Sequence, residues 1–246
     1  MEIGTSQTGC SPQSHRHTVF IGTIGGLRTI VRGATAMWDV GNMGVPQMKR
    51  MLSYLVAHVD HAIHRTDIAA IGSRRSQILV RATNLSSAVK RLIHNWQMGS
   101  ALHDEDGYLT LMRHDCWISD TDLIEQHATT AAAHLATGNT DAALDALHQA
   151  AAYCGGTYLP DYDVPDYSLQ DDQHHWLSYQ RDILHQLARL HLARGEAHAA
   201  LLIARKIAHL DTSEVADDVL RADIYAALGK TCMTDYYRQK ARRHHD

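Results

Sequence analysis

At 246 residues, 45% apolar and 20% charged, the chain is long enough for two modest domains and has the ordinary composition of a globular protein. No apolar run approaches the roughly 18 residues that span a bilayer, and the start lacks the basic and apolar stretches of a secretion leader, so a cytoplasmic location is expected. Four cysteines (Cys10, Cys116, Cys154, Cys232) without CxxC spacing argue against a disulfide framework or a cysteine-rich zinc site.

Met1 to Ser14 are small and polar, and a disordered tail is expected over 1–16. His17 to Val31 is β-branched and apolar, broken by Gly22 and Gly25-Gly26, which predicts short strands separated by turns. The glycines lack GxGxxG spacing and a following Lys-Ser/Thr, so they make a turn and not a phosphate loop. Asp39–Gly44 is a turn, and Pro46 suits a first helical position. Met48, Met51, Leu52, Leu55 and Val56 then recur at helical spacing to about His58. After a turn at Asp60-His61 and Ile63, a short helix is predicted from about Arg65 to Ile71, stopped by Gly72.

A third helix follows from about Ser76 or Thr83 to Trp96. Leu85, Ala88, Val89, Leu92 and Trp96 form its apolar stripe, and Asn84, Ser87, Lys90, Arg91 and His94 the opposite face. Leu102 and Tyr108–Leu111 flank Asp104–Gly107, which reads as a hairpin through an Asp-Gly turn. Strands, three short helices and a terminal hairpin compose a winged helix-turn-helix over 17–116, a fold that places its last helix in the DNA major groove.

Charge follows the same division. Residues 1–116 hold 12 Lys/Arg and 8 Asp/Glu, whereas 117–246 hold 11 and 19. The net charge of −4 therefore hides a basic first half. Nothing acidic occurs between Asp67 and Asp104, a stretch carrying Arg74, Arg75, Arg81, Lys90 and Arg91; a local basic surface is what phosphate binding requires. Lys90 and Arg91 are candidates for phosphates or guanine edges, with Thr83, Asn84, Ser87 and His94 on the same helix for hydrogen bonds. Arg74, Arg75 and Arg81 are candidates for flanking phosphates, and Arg113 for a contact from the wing. A solvated amphipathic face is the bland alternative.

Residues 117–246 are helical and alanine-rich. Gly195 and Gly229 lie 34 residues apart, the tetratricopeptide period, and Ala-Ala-Leu follows Gly138 and Gly195 in one register (Ala142–Leu144, Ala199–Leu201). Helix pairs are expected over about Asp120–Tyr153, Gln173–Leu210 and Ser213–His245, with a Pro/Tyr/Asp-rich insert near Thr157–Asp172. The fold class expected is thus mainly α with a small α+β part: a winged helix followed by tetratricopeptide-like repeats. Of the 19 histidines, His58, His61 and His64 alone suggest a metal, and surface or capping roles are the simpler reading. No catalytic constellation stands out, and neither cofactor nor metal is expected.

These residues resemble the antibiotic-regulatory-protein family of actinomycete activators, which joins an OmpR-type winged helix to a bacterial transcriptional activator domain in this order. Val19–Val31 looks like the opening strands, and Pro46–Leu55 and Ile63–Ile68 like the first two helices. Asn84–Leu92 looks like the recognition helix, followed by a wing with Gly107-Tyr108-Leu109. Gly155–Pro160 with Trp176 and Arg181 is similar to a segment of the activator domain. The resemblance implies sequence-specific binding to repeated promoter sites on double-stranded DNA by two protomers side by side, and recruitment of RNA polymerase holoenzyme through the helical half. Three features depart from the pattern: Gly72–Val80 lacks a Trp-Pro, the wing tip Asp104-Glu105-Asp106 is acidic, and Thr234-Asp235 stand where Ala-Leu is expected. They carry the alternative of a helical protein- or effector-binding module whose winged helix does not contact DNA.

Overall fold

The computed structural model describes residues 18–39, 44–71, 78–162, 167–210 and 214–243. The expected tail over 1–16, and Arg74 and Arg75, lie outside them. In chain order the elements are β1 (Val19–Gly22), β2 (Arg28–Val31), β3 (Ala34–Thr35), α1 (Val45–Ala57), β4 (Ile63–His64), α2 (Arg65–Ile71), α3 (Ile78–Asn95), β5 (Leu102–Glu105), β6 (Tyr108–Leu111) and β7 (Trp117–Ser119). The helices α4 (Asp120–Ala136), α5 (Thr140–Tyr153), α6 (Tyr167–Ala193), α7 (Ala197–Ala208), α8 (Val215–Ala227) and α9 (Thr231–Arg243) follow. This is a winged helix followed by tetratricopeptide-like helix pairs.

The strands form two sheets, ordered β3-β2-β1-β7 and β4-β6-β5. Helices α1, α2 and α3 pack between them through fully buried Met48, Met51, Leu52, Leu55, Ile68, Leu92 and Ile93, joined by Leu109 and Leu111 of the hairpin. Each such side chain contributes about 1.5–3 kcal/mol on leaving water. The hairpin turns through Asp106 and Gly107, both with positive φ (49° and 88°), as a two-residue Asp-Gly turn demands.

The helix pairs repeat one local solution. After α4, α6 and α8 come Gly138, Gly195 and Gly229, with φ of 75°, 78° and 69°. In each case the next residue donates its N–H to the carbonyl five residues back: Asn139 to His134, Glu196 to His191 and Lys230 to Tyr225, each at 2.9 Å. This Schellman-type closure uses up carbonyls that a helix end leaves unpaired. Five residues past each glycine a small side chain is buried at the pair interface: Ala143, Ala200 and Thr234. The Thr234 hydroxyl donates to the Lys230 carbonyl at 3.1 Å, so the polar residue keeps the register without an orphaned donor.

The two halves share a core, which runs continuously from Val19 to Ile224. Strand β7, absent from the expectations above, pairs parallel to β1, with Val19 opposite Trp117. The insert was expected to reach Asp172, but α6 begins at Tyr167, and the preceding chain docks on the first sheet. Ile24 and Tyr158 form a bridge, Gly25 N–H donates to the Thr157 carbonyl at 2.9 Å, and Leu159 N–H donates to the Thr23 carbonyl at 2.8 Å. A Cβ on Gly156 would lie 2.7 Å from Gly25 Cα, so this approach requires glycine. Two carboxylates complete the joint. Asp120, fully buried, accepts from Thr23 N–H (2.8 Å), Ile24 N–H (3.0 Å) and the Thr23 hydroxyl (2.6 Å). Asp161 accepts from Leu27 N–H and lies 3.7 Å from Lys49 Nζ.

Tryptophans mark the seams. Trp96 packs edge-on against Trp38 (centroids 5.1 Å) and donates to the Met37 carbonyl, and Trp176 packs against Tyr158 at 6.0 Å. Cys154, at the end of α5, is buried, and that burial pushes its thiol up to about 12. An alkylating reagent at neutral pH is therefore expected to label exposed Cys232 and spare Cys154 until the protein unfolds. Peptide mass spectrometry reads this; equal labelling of both in the native protein contradicts it.

Candidate nucleic-acid interface

The interface candidates gather on α3. Its inner face buries Ser86, Ala88, Val89, Leu92 and Ile93, with Trp96 beyond its end, and its outer face exposes Ser87, Arg91 and His94. Spacings of three and four residues put 87, 90, 91 and 94 on one stripe. A single 3-10 turn, Gly99–Ala101, then returns the chain into β5, which lies alongside the helix. Lys90, Arg91, His94, Leu102 and Asp104 border one hollow between helix and hairpin. Arg81, Thr83 and Asn84 fall in the N-terminal half of the same helix.

Lys90 is half-buried because the hairpin covers it. Its ammonium ion-pairs with Asp104 of β5, and the same carboxylate ion-pairs with Arg65 at the start of α2. Burial first, and the neighbouring charge of Arg65 second, lower the Lys90 pKa below its ordinary value. Arg91, beside it on the helix, is exposed at the rim of the same hollow, and among the described residues no ion pair engages it. Arg113 is placed differently from the other candidates. It lies past β6, ion-paired with Asp122, with its guanidinium 5.5 Å over the Trp117 ring, and its N–H donates to Asp60 at 2.8 Å. The structure thus brings Ser87, Lys90, Arg91 and His94 together and sets Arg113 at the seam with α4.

Arg65 escaped the sequence reading. It opens a helix, where positive charge opposes the helix dipole, and the acidic residue that holds it lies 39 positions away. The signal available was the acidic wing tip itself, which has a partner rather than being a mere deficit of positive charge.

The three spaced histidines do not converge. His58 Nδ1 bonds to the Tyr54 carbonyl (2.9 Å), His61 Nδ1 to the Val59 carbonyl (2.9 Å) and His64 Nδ1 to the Thr66 hydroxyl (2.6 Å). Among the described residues no group of three His, Cys, Asp or Glu side chains is arranged to hold a metal, and no helix is long and apolar enough to cross a membrane.

A winged helix carrying an outward polar helix, continuous with helical repeats, is the class of fold these elements define. Mycobacterium tuberculosis EmbR, solved in complex with a low affinity phosphopeptide, has a similar fold. The likeness has a TM-score of 0.73 over 91% of this chain at 14% identity, and the chain spans 59% of the length of that one. No protein-family model matches the sequence, nor does any curated protein.

Proposed function

We propose that the protein is a sequence-specific DNA-binding transcription regulator of the antibiotic-regulatory type, acting as an activator in the cytoplasm and not as an enzyme. The observation that carries the reading is the outer face of α3: Ser87, Arg91 and His94 are exposed beside a hairpin, and Lys90 and Arg65 add positive charge at its edge. An exposed helix flanked by a hairpin is the geometry with which winged helices enter the major groove, the hairpin lying along the neighbouring backbone. Arg91 is the residue best placed for a guanine edge or phosphate, and Ser87 for a base edge nearer the helix N-terminus. Arg74, Arg75, Arg81, Thr83 and Asn84 complete the proposed interface from the preceding segment, and Arg113 sits at its margin.

The helical half is the proposed contact for RNA polymerase holoenzyme. Exposed Leu202, Met233 and Tyr236 give it apolar surface, and its excess of acidic residues keeps it off the DNA. Because Asp120, Asp161 and the Ile24–Tyr158 bridge fix the halves together, two protomers on adjacent repeats would present these surfaces at a set spacing.

Lys90→Ala combined with Arg91→Ala tests the reading in gel shifts with promoter DNA from neighbouring genes. Binding is expected to fall at least about ten-fold, and its dependence on log salt to flatten by up to about 1.8, with circular dichroism unchanged. A wild-type protein that shifts no DNA in a salt-sensitive manner sinks the reading.

A further inference from the structure

Three elements converge on one carboxylate. Asp104 of β5 ion-pairs with Lys90 of α3 and with Arg65 of α2. Its side chain keeps 19% of its surface exposed, against 36% for Lys90 and 30% for Arg65, so the anion is the inserted partner and the cations are its walls. Strand alternation fixes this orientation: Asp104 and Leu102 line the hollow against α3, while His103 and Glu105 line the hollow on the opposite face of the hairpin. Two cations held side by side repel one another, and an anion between them offsets that repulsion. A carboxylate and a backbone phosphodiester offer the same thing to such a pair, one negative charge spread over two oxygens. Arg65 and Lys90 stand at the edge of the outward face of α3, where the backbone of a groove-bound duplex runs.

We propose that Arg65 and Lys90 form a binding site for one DNA backbone phosphate, and that Asp104 fills that site in the free protein as a tethered competitor. This rests on the DNA-binding reading above and adds to it a residue, Arg65, and a control on affinity. A tethered carboxylate faces its site at high effective concentration, so a lone phosphate displaces it poorly. Displacement succeeds when the rest of α3 is engaged, and the acidic wing thereby lowers binding to arbitrary DNA more than binding to a matched site.

Asp104→Asn tests the proposal, because it preserves shape and removes the charge. Fluorescence anisotropy with a mixed-sequence DNA duplex, titrated between about 50 and about 200 mM salt, reads affinity and salt slope together. Asp104→Asn is expected to bind on the order of ten-fold more tightly, with the log–log slope steeper by about 0.9, the value for one added phosphate contact. Glu105→Gln removes the same charge from the other face of the strand, and is expected to change the slope by less than about half as much. Lys90→Gln placed in the Asp104→Asn background is expected to reverse most of the gain, and Asp104→Ser repeats the measurement with a shorter neutral side chain. Equal gains from Asp104→Asn and Glu105→Gln, or no gain from either Asp104 variant, overturn the phosphate site while leaving DNA binding intact. No salt-sensitive binding by any of these proteins overturns the DNA-binding reading and this site with it.

Discussion

Replacing Asp120 by alanine is expected to lower the stability of the protein by about 3 kcal/mol and its melting temperature by roughly 6–12 °C. The carboxylate is fully buried and accepts three hydrogen bonds from Thr23 and Ile24, and Arg28 stands 3.6 Å away. Without it, two backbone N–H groups and a hydroxyl are stranded where water does not reach, at about 1–3 kcal/mol for each unmet donor. The loss falls at the joint between the first sheet and α4, because Asp120 is the first residue of that helix. Hydrogen exchange at the Thr23 and Ile24 amides is therefore expected to rise more than exchange in α8 and α9. A melting temperature within a degree or so of wild type would show that the joint does not depend on this carboxylate. The neighbouring capping box of Ser119 and Asp122 does not use this carboxylate, so at the α4 N-terminus the substitution removes only the acceptor of the Thr121 N–H, at 3.1 Å.

Asp217→Ala is expected to cost about 3 kcal/mol or more, by breaking the ion network between the second and third helix pairs. Asp217 of α8 bonds to His185 of α6 at 2.6 Å and lies 3.7 Å from Arg181 Nε, while Arg181 also ion-pairs with Glu214. Arg181 and Asp217 are only 5% and 4% exposed, so removing the carboxylate leaves a buried cation short of a counter-charge. Burial alone would raise the Asp217 pKa. The bond from His185, the Glu214 N–H and the Arg181 charge outweigh it and hold the carboxyl below its ordinary range. A carboxyl whose folded pKa lies below its unfolded value stabilises the protein fully above the unfolded value. That contribution is lost as pH falls from about 4 through the folded value, because the unfolded chain binds the proton more readily. Denaturant melts at descending pH are expected to show this loss in the wild type and not in Asp217→Asn. Parallel acid profiles for the two proteins would contradict the assignment.

The helix pairs were legible from the sequence because their information is local. Gly138, Gly195 and Gly229 sit at positions that only a left-handed closure explains, and the small residue five positions on fixes which face meets the partner helix. Helix α2 falls at the expected Arg65–Ile71, because the turn before it and its short apolar run are local signals; the stop expected at Gly72 lies outside the described residues. The stripe of α3 was likewise readable, since burial of Ala88, Val89, Leu92 and Trp96 follows directly from helical spacing. Strand β7 was not: Trp117-Ile118-Ser119 is too short for an alternation to register, and its pairing with β1 is parallel, across 98 positions. Arg113 read as a free wing cation because its counter-ion, Asp122, belongs to a helix whose direction of approach no spacing encodes.

Taken alone, the order of residues determined the helices, the hairpin turn, the basic run before Asp104 and the outward stripe of α3. All of these arise from periodicities and turn chemistry acting within about a dozen positions. The tertiary structure alone decided that Asp120 and Asp161 would accept the amides of the loop between β1 and β2, across 97 and 134 positions. It likewise decided that Asp104 would close over Lys90 and Arg65. Such contacts depend on which surfaces meet once helices and strands have packed, and a charged side chain carries no mark of its distant partner until the fold brings the two together.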